Sequence, residues 1–208
     1  KFAVLTLVFL CINFLGCSGK EPLRELTETE QKLVESSNIF GFDLFNEVIA
    51  ESDGGNVFIS PLSISMALGM TYNGARGSTE EGMRLALEYG DLTNEEINQG
   101  YRDLIDLMTE MDPDITMEIA NSIWAKENYP FHEEFIDLAE VYFDAEVQSM
   151  DFSDQSTVDA MNEWVSEATH DHITEIIEGP LDPFAVMFLI NAIYFKASWT
   201  YMFVDDGT

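Results

Sequence analysis

The chain has 208 residues, 46% of them hydrophobic, which suffices for about one domain with a sizeable core and argues against global disorder. It carries 9 Lys and Arg against 39 Asp and Glu, a formal charge of −30. A surface of that sign repels phosphate backbones and anionic headgroups, which sets nucleic-acid binding aside, and a solvated acidic surface accounts for the charge better than a cation-seeking function does.

The chain starts at Lys1, and Phe2 to Leu15 is apolar apart from Thr6 and Asn13. That run suits the core of an export signal and is shorter than the roughly 20 residues a membrane-spanning helix needs. It ends at Phe14-Leu15-Gly16-Cys17. This resembles a bacterial lipobox, in which cleavage before the cysteine frees Cys17 for lipid attachment, although Phe14 stands where Leu is usual. An ordinary cleaved signal is the alternative. Residues 1–17 are therefore read as a signal peptide, and Ser18 to Ser36, polar and charged, as a tether. Any contact with a membrane is expected through that lipid alone. The only cysteines are Cys11 and Cys17, so there is no disulfide framework and no Cys-based metal site.

A helix is expected from near Ser37, with Phe42, Phe45 and Ile49 on one face, ending at the turn signal Asp53-Gly54-Gly55. Asn56 to Ser60 reads as a short strand. Ser60-Pro61 then reads as an N-cap followed by proline in the first helical turn. Leu62 to Tyr72 is apolar nearly all round, as a buried helix would be, and Asn73-Gly74 closes it. Ser78-x-x-Glu81 and Thr93-x-x-Glu96 both have the form of capping boxes. The second opens an amphipathic helix with Ile97, Tyr101, Leu104, Ile105, Met108 and Met111 on its stripe. Ile115 to Ala125 is strand-like, His132 to Phe143 helical, Glu146 to Phe152 strand-like, and Val158, Met161, Trp164, Val165 and Ala168 mark another amphipathic helix. After Gly179-Pro180-x-x-Pro183, Val186 to Phe195 is an apolar run interrupted by Asn191, which reads as a strand buried on both faces. Helices and strands mix without a βαβαβ rhythm, so the class is α+β.

Catalytic signatures are lacking. There is no Gly-x-Ser-x-Gly elbow, phosphate-binding glycine loop or calcium loop, and no cofactor is expected. His170-Asp171-His172 places two imidazoles two residues apart, which do not share a helix face, so it reads as exposed polar residues near a helix end rather than a metal site. These residues argue against an enzyme. Asn191 is the physical oddity: an unpaired amide in a buried strand costs roughly 1–3 kcal/mol, so it should have partners. Ser60 and Ser63, at the head of the buried helix, are candidates. A bulge at Asn191, or an amide capping local backbone, serves equally well.

Five segments in order resemble serpins: Asn56-Val57-Phe58-Ile59-Ser60-Pro61-Leu62-Ser63-Ile64; Gly74-Ala75-Arg76-Gly77-Ser78-Thr79; Ala120-Asn121-Ser122-Ile123-Trp124; Met161-Asn162-x-Trp164-Val165 with Thr169 and Ile173; and Asn191-Ala192-Ile193-Tyr194-Phe195-Lys196-Ala197-Ser198-Trp199. The resemblance runs from about Ile39 to Phe203. It implies a fold of three sheets and eight or nine helices, here as the N-terminal part of a serpin domain over 37–208. It also implies inhibition of a serine or cysteine protease by insertion of a cleaved reactive loop into the central sheet, or, in non-inhibitory members, a binding or structural role. By resemblance Ser60, Ser63 and Asn191 belong to the shutter that regulates opening of that sheet, and Trp199 marks the breach where insertion begins. The reactive loop falls beyond Thr208. The helix after Thr93 corresponds to one that binds heparin in some serpins, but its basic residue is Arg102 among many acids, so no heparin site is expected.

Overall fold

A computed structural model describes residues 24–199. The signal-peptide reading, Cys17 and Thr208 lie outside them. In chain order the elements are α1 (Glu28–Glu51), α2 (Pro61–Tyr72), α3 (Ser78–Ala86), α4 (Asn94–Thr109), β1 (Thr116–Lys126), α5 (Glu133–Phe143), β2 (Ala145–Met150), α6 (Gln155–Ala168) and β3 (Met187–Lys196). Mixed helix and sheet confirm the α+β class.

The first helix begins nine residues before the expected start, so the stretch 28–36 is helix and not tether. The cause is a capping box: the Thr27 side chain accepts from the Glu30 amide, and the Glu30 carboxylate accepts from the Thr27 amide. Its buried stripe runs through Leu33, Ser36 and Phe40, whereas Phe42 and Ile49 are exposed, contrary to the expected face. Gly41 marks a close approach to α2, because a Cβ there would sit 2.9 Å from Pro61 Cβ. Residues 56–60 join no ladder among the described residues, which corrects the expected strand, and Phe58 is almost fully exposed. At α3 the cap is Gly77, at φ +61°, and no side chain caps the helix, so the Ser78 box does not form. The Thr93 box does.

The three strands form one sheet in the order β2-β1-β3. β1 and β2 are parallel and joined by α5, the crossover a parallel pair requires. β1 and β3 are antiparallel, with Glu118 opposite Tyr194 and Asn121 opposite Asn191. Alternation of side chains along each strand sorts the core into two layers. Ile123 and Leu189 pack with α1, α2, α4 and α5 on one face. Trp124, Phe188 and Ile190 pack with Val158, Met161 and Val165 of α6 on the other. β3 pairs with β1 alone among the described strands, so its second edge is open and its residues are mostly half-buried, where the sequence suggested burial on both faces.

Candidate functional site

The sheet face that meets α2 carries a chain of amides through its centre. Asn121, buried in the middle strand, donates from Nδ2 to the Phe143 carbonyl at the end of α5, at 2.8 Å. Its Oδ1 accepts from Asn191 Nδ2 at 2.7 Å. That same Nδ2 lies 3.9 Å from Met66 Sδ, on the buried side of α2. Asn191 Oδ1 is buried and has no hydrogen-bond partner among the described residues. The array therefore ties α5, β1, β3 and α2 together and ends in an acceptor on the strand whose outer edge is open.

Ser60 and Ser63 are close to each other rather than to Asn191. Ser60 caps α2, its Oγ accepting from the Ser63 amide at 3.4 Å and donating to Ser63 Oγ at 3.1 Å. Ser60 is exposed and Ser63 half-buried. The proline-led first turn fixes both serines at the helix head, and the residue that reaches Asn191 is Met66, one turn further on. The expected pairing of the serines with Asn191 thus gives way to an Asn–Asn pair. Asn121 went unassigned in the sequence reading although it shows the signal that flagged Asn191, an amide inside an apolar strand. Trp199 lies three residues past β3 and is 72% exposed.

Behind the array, α2 is held by buried tyrosines. Tyr101 donates to the Ser65 carbonyl at 3.1 Å, and its hydroxyl lies 3.1 Å from that of Tyr89. Burial pushes both phenols above their ordinary range, Tyr89 well above it. A reciprocal amide pair, Asn73 with Asn98 at 2.9 Å in each direction, joins the end of α2 to α4. On α4, the Arg102 guanidinium is engaged by Asp106 and Asp144.

On the opposite sheet face, His170 Nε2 lies 2.8 Å from Glu118 Oε2, and the His170 and His172 rings lie 4.3 and 5.6 Å from that of Tyr194. Among the described residues, no group of three His, Cys, Asp or Glu could hold a metal ion, and no helix is long and apolar enough to cross a membrane.

Residues 35–208 match the family described as Serpin (serine protease inhibitor). Iripin-8 of Ixodes ricinus is 34% identical over 191 residues, covering 88% of this chain and 46% of that protein. The leukocyte elastase inhibitor of Sus scrofa is 34% identical over 181 residues, covering 86% and 47%. Among solved structures, a thermophilic serpin, tengpin, in the latent state superposes with a TM-score of 0.74 at 33% identity, covering 85% of this chain and 46% of that one. The chain spans about half the length of the curated relatives it matches.

Proposed function

Because this chain belongs to the serpin family, we propose that it is the N-terminal half of an exported inhibitor of serine-type endopeptidases, with cysteine proteases as further targets. In this reading a reactive loop in the other half offers the protease a scissile peptide bond. The protease serine attacks the bait carbonyl and the amine side leaves. The cleaved loop then inserts as a new strand beside β3 before water can hydrolyse the ester.

The observation that carries the reading is the edge of β3 that no described strand pairs, with a buried acceptor on Asn191 that has no partner among the described residues. A strand edge of ten residues is a template for another strand. An orphan acceptor costs about 1–3 kcal/mol until a donor reaches it, so strand exchange at this edge is coupled to a polar lock. Asn191 acts in that lock with Asn121, and Ser60 and Ser63 act at the head of α2, through the position of Met66. Trp199, past the end of β3, marks the breach. Export follows from the apolar run 2–15, with Cys17 as a lipid anchor. With Arg102 held by Asp106 and Asp144, α4 is a poor heparin ligand.

The test is to mix the protein, produced with its complementary half, with trypsin-, subtilisin- and papain-like proteases. A covalent complex that survives SDS supports the reading. Cleavage with no complex would make this a non-inhibitory serpin that binds or supports other molecules.

A further inference from the structure

The connection from β1 to α5 presents three aromatic rings in succession. Asn128, at φ +63°, turns the chain as it leaves the sheet, and the Tyr129 amide donates to the Lys126 carbonyl at 3.1 Å. The Phe131 amide donates back across Pro130 to the Tyr129 carbonyl at 3.1 Å. The rings of Tyr129 and Phe131 are thereby held 5.0 Å apart. Phe131 in turn stacks on Phe135, in the first turn of α5, at 6.5 Å.

These rings line a groove of about 450 Å³, within the size range of small-molecule sites. Met83 of α3 and Met187, the first residue of β3, line it as well, so its walls come from separate parts of the fold. A second hollow of about 260 Å³ adjoins it and is polar, with Arg76, His132 and Glu134 in its lining. Gly74 and Phe135 line both, and Gly74 has no side chain to divide them. Arg76 is exposed, and its Nη1 donates to the carbonyls of Asn73 at 2.9 Å and Ala75 at 2.7 Å, just past the end of α2. Arg24 and Arg102 are each neutralised by an acid, whereas no carboxylate pairs with Arg76 among the described residues. In a chain of charge −30, an unneutralised guanidinium thus stands beside an aromatic groove.

We propose that the two joined hollows bind a small aromatic carboxylate, its rings laid against Tyr129, Phe131 and Phe135 and its carboxylate held by Arg76. Aromatic faces and edges pair with a further ring, and the two methionines adapt to its outline. A guanidinium matches the two oxygens of a carboxylate, and here its Nη1 is already fixed to the backbone. Glu134 is the opposing charge in the polar hollow and limits the gain. At physiological salt charges are screened over about 8 Å, so Arg76 and Glu134 outweigh the distant net charge. The groove between α1 and residues 57–61 is also apolar, but no charged residue lines it, so it does not distinguish an acid from its amide. The occupant lies between the end of α2 and the start of β3. Any effect on strand insertion there rests on the proposed inhibitory mechanism; the binding itself does not.

The test is to titrate naphthaleneacetate, and separately its neutral amide, into the full chain produced with its complementary half and labelled at the methionine methyl groups. For a ligand of that size the acid is expected to bind with a Kd on the order of 0.1–1 mM. The NMR signals of the Met83 and Met187 methyl groups, assigned by Met83→Leu and Met187→Leu, should shift together as it does so. The amide should bind about three- to fivefold more weakly, the scale of an exposed ion pair. Arg76→Gln should abolish that difference and Glu134→Gln should widen it. Phe131→Leu, which keeps the site apolar, should weaken both ligands by about threefold through the lost ring contact. Met83 and Met187 signals that stay in place, equal affinity of wild type for acid and amide, or a difference that survives Arg76→Gln overturns the site. None of these results bears on the protease assay, which stands or falls separately.

Discussion

Replacing Asn121 with alanine should cost more than replacing Asn191, although the two face each other. Asn121→Ala leaves the Phe143 carbonyl without its 2.8 Å donor and Asn191 Nδ2 without its 2.7 Å acceptor. At about 1–3 kcal/mol for each buried group left unpaired, and with the Met66 sulfur still in reach of Nδ2, the loss is about 2–4 kcal/mol. Asn191→Ala also strands one group, Asn121 Oδ1, but it removes the orphan Oδ1 of Asn191 at the same time. Those terms oppose each other and leave about 0–2 kcal/mol. Ser60→Ala removes an exposed cap with a long 3.4 Å contact and costs about 0.5–1 kcal/mol. Urea denaturation followed by tryptophan fluorescence, at one protein concentration so that any association contributes equally, gives the three values and the Asn–Asn coupling of the double mutant. An Asn191→Ala loss that exceeds the Asn121→Ala loss in this chain, or zero coupling between them, refutes the amide lock.

Gly69→Ala would gain up to about 1 kcal/mol of helix propensity, but the new Cβ would sit 2.8 Å from the Tyr101 ring and 3.3 Å from Tyr89 Oη, so overpacking wins. Denaturation midpoints should fall by the equivalent of about 1–2 kcal/mol, and an unchanged midpoint contradicts this packing. Glu30 is buried against Arg24, whose guanidinium together with the Thr27 cap brings the carboxyl down to about 2. A folded-state value below the unfolded one stabilises above pH 4.5 and is lost as pH falls toward 2. Screening at the half-exposed Arg24 leaves about 2 kcal/mol, and Glu30→Gln should flatten that part of the acid limb in pH-dependent melts. Cys17→Ser should release the protein from the membranes of an expressing bacterium; unchanged fractionation, with no lipid on wild type, contradicts the anchor.

Much of the fold was legible because local chemistry agreed with tertiary context. The Ser60-Pro61 start, the Thr93 box and the apolar runs of β1 and β3 lie within a residue or so of the expected positions. The misses have physical causes. Thr27-x-x-Glu30 is as good a capping box as Thr93-x-x-Glu96, but it lies in a charged stretch whose apolar positions are sparse, and the stretch reads as a tether. The Ser78 box fails because the positive φ of Gly77 turns the chain at that point, making glycine the cap. Asn56–Ser60 has strand composition, yet a strand exists only with a partner, and composition names none. Asn191 was identifiable as a buried amide in need of partners. That its partner is Asn121 depends on the β1–β3 register, in which residues 70 apart are opposed, and nothing local sets that register.

The central claim is that the edge of β3 receives a strand. It is tested most directly by cutting the proposed reactive loop, in the protein produced with its complementary half, with a protease in catalytic amounts, and comparing melting temperatures before and after. In this account the inserted strand pairs with β3 and brings the Asn191 acceptor a donor, so the cleaved form should melt well above the intact one. Intact and cleaved forms that melt at the same temperature would contradict the account.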